Sequence, residues 1–176
     1  MIFTETKLEG AFILEQQKLE DDRGFFSRSW CRREFEAHGL NPRLAQCSIS
    51  FNKQKATLRG MHYQLPPYEE AKLVRCTSGS IYDAIIDLRP QSPTFKQYLG
   101  LVLTAQNHKM LYVPEGFAHG FLTLEDNTEV FYQMSEFYSA EHTRGVRWND
   151  VAFRIEWPLA PSTISDRDRS CPDFTL

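Results

Sequence analysis

A chain of 176 residues, 41% of them hydrophobic, is sized for one domain spanning residues 1–176 with an adequate core. Its 20 Lys+Arg against 23 Asp+Glu leave a net charge of -3, which gives no bulk electrostatic case for nucleic acid or an acidic membrane as partner. No apolar run approaches the roughly 20 residues of a membrane span, and the N-terminus, with Glu5, Lys7 and Glu9, lacks the apolar segment of a signal peptide. Cys31, Cys47, Cys76 and Cys171 are scattered and form no C-x-x-C pair, so they read as reduced thiols of a soluble cytoplasmic protein.

In chain order, Asp21-Asp22-Arg23-Gly24-Phe25-Phe26 comes first. Arg23 is a phosphate candidate because guanidinium matches phosphate oxygens in pairs, although Asp21 or Asp22 suffices to hold it in a surface ion pair. Ser29 to His38 predicts a helix, with Gly39 as its stop. Leu58 to Gln64 reads as a strand whose alternation would aim Gly60, His62 and Gln64 to one face. Lys72 to Thr77 and Ser80 to Leu88 flank Ser78-Gly79, a hairpin signal. Met110 to Val113 and His119 to Leu124 flank a turn at Pro114-Glu115-Gly116, and Glu125-Asp126-Asn127 turns into Thr128 to Phe137. Many short strands at regular spacing predict an all-β sandwich or small barrel. The glycine-rich Rossmann and P-loop fingerprints and the G-x-S-x-G elbow are absent, which argues against nucleotide-cofactor and serine-hydrolase chemistry.

Arg59, His62 and Lys72 concentrate the chemistry. An arginine suits phosphate, a histidine moves protons near neutral pH, and a lysine stabilises a developing oxyanion. A hydrogen-bonded core histidine is the bland alternative for His62. Burying three such groups together is costly unless a ligand or counter-charge answers them. His119 fits a packed structural role as well as a pocket role. Two histidines on strands also raise a metal reading, with Glu69 or Glu70 as a carboxylate, but Gln64 stands where a His-x-His pair would need its second imidazole. Tyr132 and Tyr138 share a face if their strand is regular; either packs as an aromatic or donates a proton in a wet pocket. Asp168 is a surface carboxylate by default, or one that orients a histidine.

The chain resembles the dTDP-4-dehydrorhamnose 3,5-epimerase family of cupin-like enzymes. The resemblance rests on Asp22-Arg23-Gly24-Phe25-Phe26, Leu58-Arg59-Gly60-Met61-His62-Tyr63-Gln64, Lys72-Leu73-Val74-Arg75, Asp87-Leu88-Arg89 and Ser92-Pro93-Thr94-Phe95. It continues through Pro114 to Phe121, Tyr132, Trp148-Asn149-Asp150 and Ser165 to Asp168, in family order over nearly the whole chain. It implies a cupin-like double-stranded β-helix (jelly roll) with short peripheral helices. It also implies epimerisation at C3 and/or C5 of a nucleotide-linked 4-keto-6-deoxyhexose through an enolate. By resemblance His62 is the general base, Asp168 its dyad partner and Tyr132 the acid, with Tyr138 a second pocket tyrosine. Lys72 and His119 lie around the sugar, and Arg23 and Arg59 near the diphosphate and sugar. Gln46 and Arg167 belong to the outer part of the substrate site. The resemblance further implies a homodimer acting on a nucleotide-diphosphate sugar, with no metal and no nicotinamide cofactor.

Arg28, Cys47-Ser48, Thr143 and Arg167 depart from the familiar pattern, which leaves an altered nucleotide or sugar open. A mono-epimerase or ketoisomerase of the same fold is the nearest alternative. A metal-dependent cupin oxygenase and a non-catalytic nucleotide-sugar binder lie further off.

Overall fold

The computed structural model describes residues 1–175. In chain order the strands are β1 (Ile2–Glu5), β2 (Phe12–Glu15), β3 (Leu19–Asp21), β4 (Gly24–Phe26), β5 (Gln46–Asn52), β6 (Thr57–Gln64), β7 (Lys72–Ser78), β8 (Ser80–Asp87), β9 (Tyr98–Thr104), β10 (Met110–Val113), β11 (Phe117–Thr123), β12 (Thr128–Met134), β13 (Thr143–Gly145) and β14 (Thr163–Ile164). Two short helices, α1 (Arg32–Ala37) and α2 (Asp166–Arg169), lie at the periphery.

The strands form two main sheets. One runs β1-β2-β10-β7-β12-β5 and the other β13-β6-β11-β8-β9, with β14 added alongside β6. From β5 to β12 the chain passes back and forth between them, staying in one sheet only at the β8–β9 hairpin. This winding is the expected jelly roll. It places Val74, Cys76, Leu111, Val113 and Val130 of the first sheet against Ile81, Ile85, Phe117 and Phe121 of the second. Each such side chain withdrawn from water contributes about 1.5–3 kcal/mol before chain entropy is counted.

Alternation decides which residues do this. On β7, Val74 and Cys76 point between the sheets, while Leu73 points outward and joins Leu14, Met110 and Tyr112 under Phe35 of α1. The helix is shorter than the sequence predicts. Cys31 is extended, with φ -154°, and offers no side-chain cap, so the helix begins only at Arg32.

The Ser78-Gly79 turn is not a hairpin. β7 pairs with β10 and β12, and β8 with β9 and β11. One residue between β7 and β8 is too few for a tight two-residue hairpin loop. Gly79, at φ +74° and with Thr128 Oγ1 only 2.5 Å from where a Cβ would stand, instead turns the chain across to the other sheet. The Asp87-Leu88-Arg89 and Ser92-Pro93-Thr94-Phe95 motifs serve a similar corner. There the buried Asp87 carboxylate accepts from Arg89 Nε at 2.9 Å, Ser92 Oγ at 2.5 Å and Thr94 Oγ1 at 2.7 Å.

Candidate active site

Between the two sheets lies a cavity of about 330 Å³. β6 supplies Arg59, His62, Tyr63 and Gln64, and β11 supplies His119. From the first sheet come Lys72 at the start of β7 and Tyr132 and Met134 on β12. Glu70, Tyr138, Thr143, Arg167 and Asp168 also line the cavity.

Simple alternation would not put both Arg59 and His62 in the cavity, since they stand three residues apart. β6 and β11 lose register between them: His119 lies opposite His62, and Phe121 opposite Arg59. Two residues of β6, Gly60 and Met61, are thus matched by one of β11, Gly120, a bulge that re-aims side chains. Gly60 makes this possible. Its φ is +124°, and a Cβ there would stand 2.5 Å from Gly120 Cα and 2.8 Å from His119 O. Gly60 therefore belongs to the bulge, and the residues of β6 that share the cavity are Arg59, His62, Tyr63 and Gln64.

His62 Nε2 lies 2.6 Å from Asp168 Oδ1. The second carboxylate oxygen accepts from the Gly60 backbone N–H at 3.2 Å. α2 holds Asp168 in place, because Ser165 Oγ caps its N–H at 3.1 Å. Asp168 is 4% exposed. Burial pushes its carboxyl up, but the hydrogen bond and charge of His62 and the Gly60 and Ser165 groups outweigh this and hold it below its ordinary value. With Nε2–H held by the carboxylate, His62 Nδ1 is left as the acceptor.

The second histidine has a separate partner: His119 Nε2 is 2.7 Å from Asp83 Oδ1, both buried. Two imidazoles with two carboxylates at their Nε2 atoms are an arrangement for orienting rings. Among the described residues, no three His, Cys, Asp or Glu side chains converge as a ligand set.

On the opposite sheet Lys72 Nζ pairs with Glu70 Oε1 at 2.9 Å. Tyr132 lies nearby, and its hydroxyl has no hydrogen bond within the protein among the described residues. Burial, and to a lesser degree Glu70, pushes the phenol above its ordinary value against the opposing effect of Arg59, so it holds its proton at neutral pH. Arg59 is braced by Nε–H donation to Asn52 Oδ1 at 2.7 Å.

Two predicted residues stand elsewhere. Arg23 is 89% exposed and paired with Asp21 at 2.6 Å on the β3–β4 hairpin, outside the cavity of its own chain. Gln46 accepts from the Tyr138 backbone N–H at 2.6 Å and so braces the loop that carries Tyr138. Of the departures from pattern, Thr143 borders the cavity, whereas Arg28 pairs with Glu34 on the surface. Sequence reasoning did not identify the roles of Glu70, Asp83 and Asn52. A lone Asp83 inside the apolar run Ile81 to Ile86 was a usable signal, as was Glu70 two residues before Lys72.

A jelly roll that encloses a histidine–carboxylate pair, a lysine and a protonated tyrosine in one cavity defines a cupin-like enzyme built for proton transfer. The dTDP-4-dehydrorhamnose 3,5-epimerase family model matches residues 5–175. A relative with that name from Shigella flexneri is 42% identical over 164 residues, covering 93% of this chain and 90% of its own length. The structure of a Bacillus anthracis dTDP-4-dehydrorhamnose 3,5-epimerase with TDP and PPi bound superposes with a TM-score of 0.94 at 43% identity, covering 98% of this chain and 99% of that one. A Legionella pneumophila dTDP-6-deoxy-D-glucose-3,5-epimerase in complex with dTDP-4-keto-L-rhamnose gives 0.91 at 32% identity, with 98% and 92% coverage. The chain belongs to the dTDP-4-dehydrorhamnose 3,5-epimerase family and is a carbohydrate epimerase, an isomerase.

Proposed function

We propose that residues 1–176 act as one catalytic domain that epimerises C3 and C5 of a dTDP-linked 4-keto-6-deoxyhexose. The observation that carries this is the placement at a single cavity of His62 on one sheet, paired with Asp168 of α2, and of Tyr132 and Lys72 on the other sheet. About 330 Å³ suits one hexose ring, with the nucleotide extending outward.

The 4-keto group acidifies the hydrogens on both neighbouring carbons. His62 Nδ1 takes the proton, and Asp168 steadies the imidazolium that forms. Charge moves to the C4 oxygen, where the Lys72 ammonium stabilises the enolate. Tyr132 returns a proton from the opposite wall, which inverts the carbon. Arg59 and Arg167 lie where a diphosphate can be met, and His119, oriented by Asp83, and Tyr138 line the sugar. Deuterium wash-in at C3 and C5 by the wild type, abolished in His62→Ala with dTDP binding retained, is the expected result. Equal exchange by that variant sinks the base assignment.

The same reading makes the protein a homodimer. Arg23 lies outside its own cavity on a hairpin with exposed Phe25 (44%) and Phe26 (73%). The outward face of the first sheet carries Ile49 at 62% and Phe51 at 51% exposure, and beside them Arg75 Nε is buried without a hydrogen-bond partner among the described residues. A second copy covers that face and brings Arg23 to its partner's cavity. A monomeric mass by light scattering contradicts this. The four free cysteines fit a reducing compartment, which makes the cytoplasm the location this reading proposes; a disulfide in protein isolated from cells would count against it.

A further inference from the structure

The Lys72–Glu70 pair poses a question that the epimerase reading leaves open. Its side chains are only 11% and 9% exposed, yet both form part of the cavity wall. A carboxylate 2.9 Å from the ammonium opposes the enolate stabilisation that Lys72 provides. Such a pair is retained at a cost unless its remaining hydrogen-bonding capacity is used. Glu70 Oε1 faces Lys72, and Oε2 has no hydrogen bond within the protein among the described residues. The cavity wall therefore carries a cationic donor and an anionic acceptor side by side.

An α-hydroxyketone carries the complementary pattern: a carbonyl oxygen that accepts, and on the next carbon a hydroxyl that donates. Oxygens on adjacent ring carbons lie about one hydrogen-bond length apart, which matches the spacing of the pair. In a 4-keto-6-deoxyhexose the two neighbours of C4 differ. C3 bears a hydroxyl, while C5 bears only the methyl group and the ring oxygen. With Lys72 at the C4 oxygen, the C3 hydroxyl is the ring's neighbouring donor for Glu70.

We propose that Glu70 is a specificity-determining residue that accepts a hydrogen bond from the C3 hydroxyl, so that Glu70 and Lys72 together read the α-hydroxyketone. This rests on the epimerase reading and names the part of the substrate that reading leaves unspecified. A site with a buried acceptor rejects a ligand that lacks the matching hydroxyl, because the acceptor is left without a partner. The expected effect is on discrimination. Glu70 is also a contributor, after burial, to keeping Tyr132 protonated.

The test compares a dTDP-4-keto-6-deoxyhexose with its 3-deoxy analogue, following deuterium wash-in at C5, a carbon both retain. The wild type should prefer the 3-hydroxy substrate roughly ten- to hundredfold in kcat/KM. Glu70→Ala should bring the preference to within about threefold, mainly by slowing the 3-hydroxy substrate. Equal slowing of both substrates, with the preference intact, means that Glu70 merely positions Lys72 and overturns the proposal. If the alanine variant does not fold, the isosteric Glu70→Gln carries the test: its neutral amide should weaken the preference severalfold, and an unchanged preference again overturns the proposal. Calorimetric binding of dTDP-6-deoxyglucose and its 3-deoxy counterpart supplies the same ratio without turnover. Absence of exchange in the wild type defeats the epimerase reading; an unchanged hydroxyl preference in the variants defeats the Glu70 assignment.

Discussion

Replacing Asp168 with Asn changes almost no volume and separates orientation from shape. The carboxylate accepts twice, from His62 Nε2–H at 2.6 Å and from Gly60 N–H at 3.2 Å. Asparagine has a single acceptor oxygen. If that oxygen serves His62, the amide NH2 points at the Gly60 N–H, donor against donor. If it serves Gly60, the NH2 faces His62 Nε2 and moves the imidazole proton to Nδ1, which removes the base. Either arrangement forfeits a charge-assisted hydrogen bond on a group that is 4% exposed, a loss of about 1.5–3 kcal/mol. The Asp→Asn, wrong-tautomer variant of a histidine–carboxylate pair loses roughly 10⁴ in kcat. Deuterium wash-in under saturating substrate reads the rate, and thermal unfolding reads the stability. The folded Asp168 carboxyl lies below its ordinary value of 3.8. Its contribution to stability is therefore complete above the ordinary carboxylate range, and is lost as pH falls from about 4 through the lower folded value. The stability gap between wild type and Asp168→Asn should accordingly narrow in acid. A variant with wild-type kcat, or a gap that widens as pH falls, would refute the dyad.

Tyr132→Phe keeps the ring packed and removes only the proton donor. It should still exchange deuterium from the His62 side while inversion falls about 10²–10⁴-fold; product NMR separates exchange from inversion, and undiminished inversion reassigns the acid. Gly60→Ala drives a Cβ to 2.5 Å from Gly120 Cα at a backbone φ of +124°. It should cost on the order of 3 kcal/mol or more in urea unfolding and disorder the bulge. A neutral result would mean that a Cβ at this point of β6 stands farther than 2.5 Å from Gly120 Cα of β11.

The order of elements was legible because alternation on β7, β8 and β12 is a local property: Val74 and Cys76 point inward for the same reason that Leu73 points outward. Pairing was less legible. Ser78-Gly79 carries the residue types of a hairpin, but which strands pair is settled by closure of two sheets, and the chain turns across instead. The bulge at Gly60 depends on β11, far along the chain, so the strand pattern of Leu58 to Gln64 misplaced Gly60 and left Arg59 off the face it shares with His62. Spacing gives no hint that Asp168 meets His62, 106 residues away; only the family resemblance implied it. The resemblance also grouped Arg23 with the site residues, whereas its own chain holds it on an exposed hairpin. Glu70 was visible only as an optional carboxylate of a metal reading, since its pairing with Nζ of Lys72 at 2.9 Å is a product of the fold.

The central claim is that this cavity deprotonates carbons flanking a ketone and reprotonates them from the other side. Its most direct test is incubation of the wild-type protein with dTDP-4-keto-6-deoxyglucose in deuterium oxide, followed by NMR of the product. Deuterium at both C3 and C5, with both centres inverted, is the expected result. Folded protein that binds dTDP yet leaves both carbons fully protonated would contradict it.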